Sequence, residues 1–168
     1  MLTKEFIERY FLTEKQDGLM FLISAVIAIG LATFLFIKGT EGFGKGLSIV
    51  LVATSIWQLL IGYPALMHSD SHRVDMVYAY DMNPQLLKTA ESQRLENRLK
   101  TLKYMRAIEA TLFVAGVLLV VFNFPNPEAQ LWFGIGLGLV FQMLVLFIMD
   151  HNAAKRAEQY WFYIRTMH

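Results

Sequence analysis

His68, His72 and Asp75 stand at i, i+4 and i+7, so on a helix they share one face. Two imidazoles and a carboxylate at that spacing can ligate zinc or another divalent ion, with His151 or Asp150 as a further ligand. Glu109 or Asp150 would then act as a base beside the His68/His72-bound ion, on a lipid or small-molecule substrate. The competing reading is ion pairing: Arg106 with Glu109, Arg73 with Asp70, and Asp150 with Arg106. His-xxx-His without the metalloprotease glutamate is a weak signature, and four histidines are too few for a lipid desaturase. No glycine loop follows a strand to cradle phosphate, and no serine–histidine–aspartate arrangement is placed for nucleophilic catalysis.

The elements that must position this cluster are four apolar runs, Gly18–Ile37, Leu47–Met67, Ala107–Phe122 and Leu131–Met149. Each approaches the roughly 20 residues that a helix needs to cross a hydrocarbon core. They predict an all-α polytopic membrane protein, because singly spanning segments must satisfy their own backbone. The apolar content of 55% agrees, and 168 residues leave no room for a separate soluble domain. The net charge of +1, with basic and acidic residues interleaved, gives no argument for nucleic acid. With no cysteine, disulfides, thiol redox chemistry and cysteine metal sites are excluded. The acidic, amphipathic Met1–Asp17 is a poor n-region, so the first run is read as a retained helix rather than a signal peptide.

The expected organisation is two antiparallel hairpins with a cytoplasmic two-helix extension. Residues 1–17 form an amphipathic interfacial helix or a leader packed on the bundle, followed by spans at 18–38 and 46–67. A polar loop follows the second span, and Pro64 should kink that span one turn before His68. Asn83-Pro84 opens a long helix over 84–122, half cytoplasmic and half spanning, and the fourth span continues over 130–165. Glycine and proline clusters at 39–44 and 123–127 make the short turns. Lys and Arg crowd the termini and the middle segment but not those turns, so both termini should be cytoplasmic.

The stalk should pair Leu95, Leu99 and Leu102 with the stripe Ala153, Ala157, Tyr160 and Ile164. Antiparallel register then sets Ala157 opposite Leu99, Trp161 opposite Leu95, Glu158 against Arg98, and Arg165 against Glu91. Within the spans, Gly134 and Gly138 form a small-xxx-small pair for helix packing, within the monomer or between subunits. Gln58 and Gln142 could bond each other across the bundle. No charge sits at midplane, which argues against proton-coupled multidrug transport and against a charged ion filter.

Gly46–Gly62 with Gln58, Glu91-x-x-Arg94 running to Arg106-x-x-Glu109, and Asp150 with Arg156 and Tyr160 resemble small bacterial four-span inner-membrane proteins of no known activity. The resemblance implies the fold and the membrane and transfers no function. The expectation is a non-enzymatic inner-membrane protein without a cofactor. It would assemble as a homo-oligomer, channel-forming as a subcase, and bind a protein partner or lipid through its stalk. The alternative is a divalent-metal enzyme at the cytoplasmic mouth.

Overall fold

The computed structural model describes residues 2–39, 41–124 and 126–167, and among them it is entirely helical, without strands. Four helices are long and apolar enough to cross a membrane, which suggests a membrane protein. They are α1 (Lys4–Lys38), α2 (Phe43–Met82), α3 (Pro84–Asn123) and α4 (Gln130–Arg165). Thr3 caps α1, its side chain accepting from the Phe6 N–H. Asn83 caps α3 in the same way by accepting from Leu86 N–H, with Pro84 at the first helical position. One wide π-turn, Leu87–Glu91, lies near the start of α3. Thr40 and Pro125, within the two expected turns, fall outside the described residues.

Each helix joins a polar half and an apolar half without a break, α1 and α3 starting in the polar half and α2 and α4 in the apolar one. In α1 the buried positions Ile7, Phe11, Glu14, Gly18, Phe21, Ala25, Ala28 and Ala32 keep one alternating four–three spacing, and Tyr10 widens the stripe beside Phe11. That heptad phase explains why residues 1–17 are not a separate interfacial helix: one stripe faces α2 and α4 from end to end. A second difference concerns α2. The expected polar loop after Met67 is helix as far as Met82, continuous through Pro64, so only Asn83 separates α2 from α3. Its polar residues are the outer face of a helix whose inner face, Ser69 and Ala79, is buried.

Close backbone approach joins the helices in the apolar half. A methyl group built on Gly18 would lie 2.9 Å from the Gly62 carbonyl oxygen, and one on Gly62 would lie 2.8 Å from that of Gly18. Gly116 of α3 and Gly136 of α4 face each other equally closely, each 2.9 Å from the other's carbonyl oxygen. Gly134 and Gly138 receive Phe43, Leu47 and Val50 of α2. That glycine face is therefore occupied inside the chain and is not free to join subunits. Small residues let helices gain van der Waals contact where lipid supplies no hydrophobic drive.

The extension in the polar half has four helices rather than two. Its core joins Ile7, Tyr10 and Phe11 of α1, Ala79 of α2, Leu87 and Leu95 of α3, and Ala157, Tyr160 and Ile164 of α4, with Leu99 and Trp161 at the margin. Tyr10 stacks on Tyr160 at 4.1 Å between centroids. The aromatic first turns of α1 thus fill the space between α3 and α4 that a two-helix pairing would have closed. Gly62→Ala should destabilise the fold by about 1–3 kcal/mol through overpacking. Gly30→Ala, with nothing within 4 Å of the added carbon, should be neutral. Thermal unfolding of both variants in detergent, followed by circular dichroism, checks the contrast.

Candidate site in the seam between α2 and α3

Successive α-helical residues are turned by about 100°, so Gly134 and Gly138 lie on one face of α4 and Gly136 on nearly the opposite one. Through the first pair α4 meets α2, and through Gly136 it meets α3. The two neighbours are thereby held on opposite sides of α4 and have almost no backbone approach to each other. The gap left between them is a seam of about 350 Å³, walled by Thr54 and Trp57 of α2 and Ile108 and Glu109 of α3, with Met143 and Leu146 of α4 as its floor. A second groove of about 280 Å³, on the far side of α3, is lined by Glu109, Phe113 and Phe147.

Glu109 is the chemical feature of this region. It is 6% exposed, and its Oε2 is buried without a hydrogen-bond partner. It stands beside Met143 and Leu146, one to two turns (about 6–10 Å) farther into the apolar half than Asp150. Side chains lean toward their own helix N-terminus. On antiparallel helices Glu109 therefore reaches toward the polar half and Asp150 toward the apolar half, and the two carboxyls meet. Arg106 is the cation that acts on both. Its Nε also donates to the Leu102 carbonyl at 3.4 Å. Glu109 thus belongs to the seam as well as to the mouth cluster, and a carboxyl does lie within the apolar half.

The rest of the expected cluster is dispersed. His68 and His72 share a groove of about 400 Å³ with Glu14, Arg94 and Arg98, and His68 Nδ1 lies 3.0 Å from the Pro64 carbonyl oxygen. Asp75 is exposed, and His151 is exposed with its ring stacked on Phe147 at 6.4 Å. Among the described residues no three His, Asp or Glu side chains form a group that could hold a metal ion. Gln58 and Gln142 are both buried, but the expected bond between them is not made: Gln58 Oε1 and Nε2 have no partner.

Charges in the polar half are paired by α1, which a reading of α3 and α4 alone missed. Glu14, buried, pairs with Arg98 and lies 3.7 Å from Arg94. Arg94 grips Glu91 with two bonds, of 2.7 and 2.8 Å, and sits 5.2 Å over the Phe11 ring. Arg156 pairs with Asp17, whose carboxyl burial pushes up against the pull of that guanidinium. The expected Glu158–Arg98 and Arg165–Glu91 pairs are replaced. Glu158 is exposed, and Arg165 lies 5.0 Å over the Trp161 ring. Burial also pushes the Tyr160 phenol up. The heptad stripe of α1, with Glu14 on its buried face, was the signal for these contacts.

No family model matches the chain, and neither does any curated protein or solved structure.

Glu14→Gln should cost about 1–3 kcal/mol, because it removes the carboxylate paired with the half-buried Arg98 guanidinium. Glu158→Gln should cost nothing measurable in the same thermal unfolding assay. A second outcome concerns Lys15, which bonds Asp70 and holds its carboxyl below the usual value of 3.8. Stability from a depressed carboxyl is complete above that value and fades as pH falls below it. Asp70→Asn should therefore lower the melting temperature slightly at neutral pH, and the gap should close in acid. A gap unchanged in acid would assign the loss to something other than the ion pair.

Proposed function

We propose that the chain is a non-enzymatic protein of the bacterial inner membrane, with both termini cytoplasmic and four spans in two antiparallel hairpins. It binds a membrane amphiphile in the seam and offers its cytoplasmic extension to a protein partner or a second copy. Large apolar side chains turned outward, among them Val26, Ile27, Phe34 and Phe122, support membrane embedding, since lipid is the medium that covers such surface. Orientation rests on Lys and Arg, of which the turn end holds only Lys38 and Lys45. Assembly would use outward apolar faces, because Gly134 and Gly138 are engaged with α2.

The observation that carries the binding reading is the seam itself: apolar, within the size range of ligand sites, and open laterally where lipid would lie. The metal-enzyme alternative has less to rest on, since His68 and His72 find no third ligand among the described residues. Native mass spectrometry of protein released from nanodiscs tests the reading. One amphiphile per chain is expected, lost in Ala53→Trp, which fills the seam wall. Equal retention by that variant would refute it. One divalent ion per chain would instead restore the metal reading.

A further inference from the structure

We propose that the seam takes a lipophilic cation, with Glu109 and Asp150 as its counter-charge and the Trp57 ring as an apolar wall. This inference rests on the seam being a binding site and adds the chemical class of its ligand. The first ground is the balance of charge. Two carboxyl oxygens in contact repel unless a proton or a cation lies between them. The groups that face the pair are few. On α3 there is Arg106, and around Asp150 there are Arg98 of α3 and Asp17 of α1. Arg98 is already paired with Glu14, and Asp17 with Arg156. From α2 the seam receives Thr54 and Trp57, neither of them charged. Among the described residues that face the pair, Arg106 is thus the one cation with no carboxylate partner elsewhere, set against two carboxyls, and Glu109 Oε2 is left buried without a partner.

The second ground is depth. Glu109 springs from α3 among Ile108, Met143 and Leu146, inside the apolar half, and its carboxyl reaches back along the seam wall to Asp150, so the charge sits at the inner end of an apolar seam. A phospholipid amine is held at the headgroup level, whereas a charge carried on an apolar body enters the seam from the side. Burial of an ionised carboxylate in such surroundings is costly unless it is paired. A cation of low hydration meets that need and loses little water in doing so, and an aromatic face such as Trp57 favours it further. The site therefore reads charge on the ligand through the carboxyls and apolar bulk through the seam.

The probes are tetraphenylphosphonium and tetraphenylborate, which share a shape and carry opposite charge. Each is titrated into protein in nanodiscs of zwitterionic lipid, with empty nanodiscs subtracted. One tetraphenylphosphonium per chain is expected, bound more tightly as pH rises and protons leave the carboxyls. Tetraphenylborate should bind at least tenfold more weakly. Glu109→Gln should weaken the phosphonium at least tenfold and narrow the difference between the two ions. Asp150→Asn provides the second variant should Glu109→Gln fail to fold, as judged by its circular dichroism and elution volume. Equal binding of the two ions, or phosphonium binding unchanged in both carboxyl variants, would overturn the cation assignment while leaving a seam that binds apolar molecules. Phosphonium binding unchanged in Ala53→Trp would overturn the seam reading itself.

Discussion

The structure depends on how glycines alternate on one helix. In Gly134-Ile135-Gly136-Leu137-Gly138 the first and last glycines face α2 and the middle one faces α3. A helix with glycine on one face brings a single neighbour close; this one brings two, on opposite sides. α4 becomes the spine of the molecule, and the separation of α2 from α3 follows from the roughly 200° between successive glycines. The seam is not a packing fault. It is the space that the spine's own geometry keeps open, and Glu109 stands in its wall.

The polar half answers a different need. A chain of this size has little core to spare, and here the core continues beyond the apolar zone through Tyr10, Phe11, Leu95, Ala157 and Tyr160. Glu14 and Glu91 lie within that core, and their charges are met by Arg94 and Arg98. Buried charges of this kind add little net stability, but they make misregistered packing costly. A slip of α1 along α3 would strand Glu14, so the charged layer fixes the register that the aromatic and aliphatic contacts alone would leave loose.

Much of this was legible in the sequence, for identifiable reasons. The four apolar runs give four helices because long apolar segments have few other solutions, and Asn83-Pro84 marks a helix start by local chemistry alone. The continuity of α1 was obscured by Gly18, which looks like a boundary between an amphipathic segment and an apolar one. In the structure it is a point of close approach to Gly62. The helical stretch of α2 beyond Met67 was hidden by Pro64 and by the polarity of a face that looks outward. The heptad stripe of α1 turns Glu14 inward, but its partner Arg98 lies far away in the chain and no local pattern names it. Glu109 was singled out from the sequence as a polar group beside Arg106. Its depth depends on the lean of its side chain and on the register of α3 against α4, neither of which composition reveals.

The length of α3 has a mechanical consequence. It is one rod of 40 residues, about 60 Å, that meets the spine backbone to backbone at Gly116. Glu109 lies seven residues from that fulcrum and Arg98 eighteen. Any tilt of the rod about Gly116 is therefore magnified about two- to threefold between the seam and the Glu14–Arg98 pair. The width of the gap and the tightness of the ionic clasp below it are two readings on a single lever.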